Sequence, residues 1–274
     1  MNLHPNHIAN RSPSRRGLVL AALALGAVLA VCWAIRQQQL AERRTRALER
    51  GAAWLHQPND SHSTALVWLA ARAAEREPRA ALVELARTMK QNAISDPLSA
   101  LIGQEPAQLS LVADDTPEGE MHPIDRLVTS VARCAADAKA AERVWAFLEE
   151  EHAGYLLTHQ VLFSLWAEEL GCTLPSPVHT RREVLLSRIR TEAEQNPIYS
   201  DLFVEQLAVL ELAGRGQWVE ASWLQTLVAH QSRDGSWQSP VERSTLSYKG
   251  VTIEQVLDPV HVTALAISAL AHAS

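Results

Sequence analysis

The sequence is poor in cysteine and has fewer basic than acidic residues, and each shortage argues against a class of protein. Its 274 residues include three cysteines, with no C-x-x-C spacing among Cys32, Cys134 and Cys172, so it predicts neither a disulfide framework nor a thiolate zinc site. Lysine and arginine together number 25 against 31 acidic residues, a formal net charge of −6. Because the basic residues after the first fifty positions alternate with acidic ones, we expect no nucleic-acid partner.

One long apolar run lies near the start of the chain. Residues 17–35 contain no charged side chain, and about twenty apolar helical residues span the hydrocarbon core of a bilayer. We therefore expect a single-pass transmembrane anchor at 17–35, between a basic tail at 1–16 and a helical connector at 36–47. Small residues are poorly placed for cleavage around Cys32, which favours an anchor that is not removed.

The orientation of this anchor depends on a weak signal. Arginines lie on both sides of the apolar run, so the excess of positive charge on one side is small. Ser14-Arg15-Arg16 before the run resembles the twin-arginine export signal, and that resemblance favours a domain outside the cytoplasm. A plain basic flank is the alternative.

Residues 48–274 are expected to form an all-α domain. After the anchor, apolar residues recur at three- and four-residue spacing, and Pro, Gly, Asn and Asp separate the periodic segments. With the first helix, ten helices are predicted, the others at 62–76, 79–92, 123–137, 139–152, 154–170, 179–195, 200–213, 217–231 and 259–272. A hairpin of Thr245–Tyr248 with Val251–Glu254 is the one predicted pair of strands, and 93–122 and 232–257 are long irregular stretches.

A repeated pattern connects the two ends of this domain. His56-Gln57 is followed by His62-Ser63-Thr64-Ala65-Leu66, and His230-Gln231 is followed by His261-Val262-Thr263-Ala264-Leu265. The second copy also contains Q-x-x-D-G-S-W at 231–237, which resembles a motif of the squalene and oxidosqualene cyclase family. The motif comprises Gln231, Asp234, Gly235, Ser236 and Trp237.

The resemblance implies an α/α toroid over about residues 48–274. In that family the motif tightens a turn between helices, so the resemblance implies that Gln231 caps backbone groups, that Asp234 and Gly235 form the turn, and that Trp237 packs over it. The acidic D-x-D-D motif of the cyclases and the C-G-E-Q motif of thioester toroids are both absent. The resemblance therefore implies neither activity, and ten helices are two short of a six-pair ring, which predicts an incomplete toroid.

Polar residues near the starts of alternate helices are the candidates for chemistry. They are His62, His159, Asp201 with Glu205 one turn later, and His261. Of these, His159, Asp201 and His261 are the predicted site: two imidazoles and a carboxylate could bind zinc or iron, or act without metal as a general base and its orienting partner. The alternative is that these side chains are separate helix caps.

Three functions remain open from the sequence. The first is a bacterial-type, membrane-anchored binding module whose concave centre or long loops take a peptide or a small apolar ligand. The second is an enzyme with the His159, Asp201 and His261 site, dependent on a divalent metal or not. The third is a scaffold in which the helix at 37–50 pairs with a partner protein, which requires an exposed apolar stripe on that helix.

Overall fold

The computed structural model describes residues 15–56, 62–104, 123–241, 243–256 and 258–272. The chain divides into two compact units, Met1–Arg43 and Arg44–Ser274. The predicted boundary of the helical domain, at residue 48, lies close to the start of the second unit.

The described residues form ten α-helices, two short 3₁₀ turns and one two-stranded antiparallel sheet. All-α is therefore the correct fold class, and every predicted helix is present with its ends displaced by a few residues. The irregular stretch 93–122 contains a 3₁₀ turn, Ser99–Ile102, and its residues 105–122 lie outside the described residues. The elements are α1 Arg15–Leu55, α2 Thr64–Arg76, α3 Ala80–Gln91, α4 Pro123–Arg133, α5 Ala138–Glu149, α6 Tyr155–Glu169, α7 Val178–Gln195, α8 Asp201–Leu212, α9 Ala221–Ala229, β1 Arg243–Tyr248, β2 Val251–Val256 and α10 Pro259–His272.

The first unit contains the beginning of α1. Among the residues described, the structure contains no helix that combines the length and the apolar character needed to cross a membrane. The predicted anchor at 17–35 falls partly outside that set, since the side chains of 15–22 and of residue 24 are not described. The anchor stays a prediction.

The second unit consists of helical hairpins packed around three buried helices. The helices pair as α2 with α3, α4 with α5 and α6 with α7, while α8 packs against α6, α7 and α10, and α10 packs against α2. In α8, ten of twelve residues are buried. Most residues of α6 and α10 are buried as well, so α6, α8 and α10 form the interior, with α7 covering α6 and α8.

The Q-x-x-D-G-S-W segment follows α9 in the chain and contacts α1. The side chain of Gln231 donates to the carbonyl oxygens of Ala47 at 2.8 Å and of Gly235 at 2.9 Å. Gly235 has a φ of +105°, and a Cβ there would lie 2.5 Å from the carbonyl oxygen of Arg50, so only glycine fits. Trp237 is fully buried and donates from Nε1 to the carbonyl of Leu227 at 2.7 Å.

Gln231, Gly235 and Trp237 therefore hold this turn against α1 and α9. Asp234 completes the turn, because its carboxylate accepts from the backbone N–H and the hydroxyl of Ser236.

One expectation about the cysteines is wrong. Cys134 and Cys172 form a disulfide, with Cα atoms 5.2 Å apart and a sequence separation of 38. The bond joins the end of α4 to the turn after α6, and Cys32 is an exposed free thiol. Sequence spacing did not indicate the pair because packing of α4 on α6 is what brings the two residues together.

A buried carboxylate at the end of α8 makes the stability of the fold dependent on pH. Glu211 is 4% exposed, and within the described residues its Oε1 has no hydrogen-bond partner. Burial raises the pKa of Glu211 from 4.5 to about 7, despite the nearby charges of Arg76 and Arg44. The folded state holds this proton more tightly than the unfolded chain, so stability is lost as pH rises from about 4.5 to 7.

Replacing Glu211 with glutamine should remove that loss. We expect Glu211→Gln to raise the free energy of unfolding by up to about 3 kcal/mol at pH 8 and to have little effect near pH 4.5. Urea unfolding at the two pH values measures the difference. Glu142 is exposed on α5, so Glu142→Gln is the matched control. It should change the free energy of unfolding by less than about 0.5 kcal/mol at either pH. An equal effect of Glu211→Gln at both pH values would contradict the assignment.

Candidate metal centre

The beginnings of α6, α8 and α10 bring four ionisable side chains together. Asp201 is the first residue of α8, and Glu205 lies one turn later on the same face. His159 lies in the second turn of α6, and His261 is the third residue of α10. Ser200 is the residue that caps α8, accepting from the backbone N–H of Phe203 at 3.1 Å. Asp201 is therefore free of the capping role that was its alternative interpretation.

Glu205 lies between the two imidazoles. Its Oε1 is 3.4 Å from Nδ1 of His159, and its Oε2 is 3.8 Å from Nε2 of His261. The hydroxyl of Thr158 also donates to Oε1 of Glu205. The Glu205 side chain is only 2% exposed, whereas His159 and His261 are 26% and 34% exposed. The carboxylate therefore forms the floor of the cluster, and the two imidazoles reach solvent.

Asp201 contributes a second carboxylate with one oxygen unused. Oδ2 accepts from the phenolic O–H of Tyr155 at 3.0 Å. Oδ1 has no hydrogen-bond partner within the described residues, and it is buried, since Asp201 is only 1% exposed. A buried carboxylate oxygen without a partner is costly, and a cation bound to that oxygen would remove the cost.

The charges of the cluster stabilise one another. Burial alone would raise the pKa of Glu205, but the two histidines outweigh it and hold the pKa of Glu205 well below its ordinary value. Burial alone would lower the pKa of each histidine, but Glu205 outweighs it and raises the pKa of both His159 and His261. Burial raises the pKa of Asp201; the charge of His261 opposes this rise, and the charge of Glu205 adds to it. Without a metal, protons on the imidazoles therefore balance the buried carboxylate charge.

Three of these side chains could hold one metal ion. Asp201, Glu205 and His261 each offer a ligand atom, and these atoms lie within 4.8 Å of one another. Ligands that bind zinc at about 2.0–2.2 Å are separated by about 3.4 Å, so small side-chain movements would complete the coordination. A set of carboxylate and imidazole ligands suits zinc, iron or manganese better than calcium, which prefers oxygen alone.

The structure thus brings together all three residues of the predicted site. His159, Asp201 and His261 meet around Glu205, which the sequence placed one turn after Asp201. His62 lies elsewhere: it is buried before α2, where its backbone pairs with residues 92–94. His62 precedes the first residue of α2, so it does not occupy the helix start that the sequence predicted for it.

Two functional neighbours were missed from the sequence, Tyr155 and Thr158. Tyr155 lies one turn before His159, and its carbonyl oxygen is 2.6 Å from Nδ1 of that histidine. The four-residue spacing was the available signal, since it places both side chains on the face of α6 that meets α8.

The arrangement supports two kinds of chemistry. With a bound cation, open coordination positions could take water or substrate. Without one, a histidine paired with a carboxylate is a general base with its orienting partner. No family model, curated protein or solved structure matches this chain.

Proposed function

We propose that the protein is a metal-dependent enzyme whose Asp201, Glu205 and His261 bind one divalent transition-metal ion. The observation that carries the proposal is the convergence of three ligand atoms within 4.8 Å, and Asp201 also has a buried oxygen with no hydrogen-bond partner among the described residues. A bound ion of this kind supplies a Lewis acid that activates water or polarises an oxygen of the substrate. His159, beside Glu205 and partly exposed, is the group placed to accept or return a proton.

Neighbouring side chains support this assignment because they fix the carboxylates. Tyr155 holds Asp201 and Thr158 holds Glu205, each through a hydroxyl on α6. Metal-binding carboxylates are themselves usually hydrogen-bonded by a second layer of residues. In this cluster α6 supplies that layer, α8 supplies the carboxylates and α10 supplies the imidazole ligand.

The same proposal places the centre in the middle of an α/α toroid. The order in which neighbours pack, α4, α6, α8, α10 and α2, fits alternate helices facing one another with their partners outside. The glycine-dependent turn at Gly235 and the buried Trp237 also fit the motif that resembles the cyclase family.

We place this domain at the membrane, on the extracytoplasmic side. The charge-free run at 17–35 and the twin-arginine-like sequence before it are the basis of that placement. The Cys134–Cys172 disulfide supports it, because disulfides persist in oxidising compartments and are rare in the cytosol.

Metal analysis of the purified full-length chain tests the centre. We expect about one equivalent of zinc, iron or manganese per chain by inductively coupled plasma mass spectrometry after exposure to each metal and desalting. His261→Ala and Asp201→Asn should each reduce the bound metal by about tenfold or more, because either change removes a ligand. His179 is exposed on α7, so His179→Ala is the matched control. This variant should retain the full equivalent of bound metal.

Two outcomes would overturn the proposal. One is absence of stoichiometric metal from a chain whose circular dichroism shows it folded; the other is metal content that survives both ligand substitutions. Either result would leave the four side chains as a self-neutralised ion network. The binding-module hypothesis, with a peptide or small-molecule ligand in the concave centre, would then be the one to pursue.

The scaffold hypothesis has no support in the helix it invoked. Within 37–50, the buried apolar positions are Ala47 and Leu48, and Leu40 is half-buried. The exposed positions are polar apart from Ala41, so this segment presents no apolar stripe for a partner.

A further inference from the structure

A cavity of about 380 Å³ lies where the β1–β2 hairpin meets α4 and α5. Its apolar surface comes from Leu127 of α4, Phe147 of α5 and the ring of Tyr248 on the hairpin. The rings of Phe147 and Tyr248 are 5.5 Å apart in an edge-to-face contact, which fixes the hairpin over α5. Ala146 and Val251, both exposed, lie at its opening.

Three cationic side chains surround this apolar cavity. Arg126, Arg143 and Lys249 line it, and among the described residues that line it none is acidic. Two of these cations have long contacts with carboxylates: Lys249 Nζ is 3.5 Å from Glu150, and Arg143 is 3.8 Å from Asp137. These contacts neutralise Lys249 and Arg143 only in part.

The hairpin turn holds its cation in an unfavourable backbone conformation. Lys249 has a φ of +49°, a conformation in which Asn or Gly is the common residue of such turns. Its ammonium group is 5.2 Å from the centre of the Tyr248 ring. The turn therefore presents a positive charge directly above an aromatic wall of the cavity.

We propose that this cavity binds a single-chain amphiphile with an anionic head group, such as an alkyl phosphate or a fatty acid. The apolar walls would take the chain, and the guanidinium and ammonium groups would bind the head by charge-assisted hydrogen bonds. The volume lies within the range of small-molecule pockets, roughly 300–1,000 Å³. An inorganic anion alone would leave the Leu127 and Phe147 surfaces without a partner, and a cationic amphiphile would meet three like charges.

This site is separate from the metal centre. Phe147 contacts Phe163 at 5.6 Å between ring centres, and Phe163 contacts His159 at 5.9 Å. Two aromatic rings therefore lie between the cavity and the histidine, and binding of the amphiphile does not depend on a metal.

Calorimetric titration of the full-length chain in phosphatidylcholine nanodiscs tests the proposal, with empty nanodiscs subtracted. We expect octyl phosphate to bind with one-to-one stoichiometry. Octanol lacks the anionic head group, inorganic phosphate lacks the alkyl chain and octyltrimethylammonium carries the opposite charge, so each should bind at least about tenfold more weakly. Ala146→Phe should abolish binding by filling the opening, and Lys249→Gln should weaken it severalfold. Lys139→Gln is the matched control, since Lys139 is exposed at the other end of α5.

Each contrary outcome is distinct. Equal binding of inorganic phosphate would reduce the site to a simple anion site, and equal binding of octanol would indicate partitioning without recognition of charge. Binding that survives both Ala146→Phe and Lys249→Gln would place the ligand elsewhere, and absence of octyl phosphate binding would refute the proposal. Thermal melts of both variants identify loss through unfolding, and the metal content of the chain reports on the other centre independently.

Discussion

Trp237→Ala is expected to lower the free energy of unfolding by about 4 kcal/mol, because the change removes a fully buried indole and leaves a cavity. It also removes the hydrogen bond from Nε1 to the carbonyl of Leu227. The change also removes a close contact with α1, since a Cβ on Gly51 would lie 2.6 Å from the indole. Urea unfolding followed by circular dichroism measures the loss.

Two further variants separate packing from the hydrogen bond. Trp237→Phe keeps most of the apolar volume, and we expect a loss of about 1–2 kcal/mol. Trp218→Ala is the matched control: Trp218 is only partly buried, and its ring faces Arg190 and Arg215 at 5.9 and 5.7 Å. We expect a cost of about 1 kcal/mol there. A loss for Trp237→Ala no larger than for Trp218→Ala would contradict the role assigned to the motif.

Loss of the Cys134–Cys172 disulfide is the second large effect. The bond closes a loop of 38 residues, and the chain-entropy model gives a stabilisation of about 4 kcal/mol for that length. We expect Cys134→Ser, or reduction of the native chain, to lower the unfolding free energy by about 2–4 kcal/mol. Thermal melts with and without reductant provide the measurement.

Cys32 supplies the control for this experiment. Cys32→Ser removes an exposed thiol outside the second unit, so it should leave the melting temperature unchanged. In the native chain, one thiol should react with a maleimide reagent before reduction and three should react after reduction in denaturant. Three reactive thiols in chain that was never reduced would show that the bond does not form.

The helices were predictable because they depend on local patterns. The three- and four-residue spacing of apolar residues located every helix of the second unit. The hairpin was also located, although it extends from Arg243 to Val256, beyond the residues predicted. Its strands are longer because the backbone ladder continues where the side-chain pattern has ended.

The site was predictable only in part because its members come from three helices. Alternation of inner and outer helices placed His159, Asp201 and His261 at corresponding helix starts, and the structure brings them together. The same argument also selected His62, which lies apart. It failed there because a residue's position along a helix does not determine which face of the helix meets the interior. The disulfide and the hydroxyl contacts of Tyr155 and Thr158 depend on the packing of α4, α6 and α8, which the sequence pattern does not specify.

The attachment of α1 to the 231–237 turn has a consequence for biosynthesis. Ala47 on α1 and Gln231, its hydrogen-bond partner, are 184 residues apart in sequence. At roughly 5–20 residues per second, the ribosome needs about ten to forty seconds to make the chain between them. During that interval α1 lacks the contacts that Gln231, Gly235 and Trp237 make with Ala47, Arg50 and Gly51. This part of α1 is therefore synthesised before the residues that cover it. To remain soluble, the nascent chain depends on a chaperone or on delayed folding.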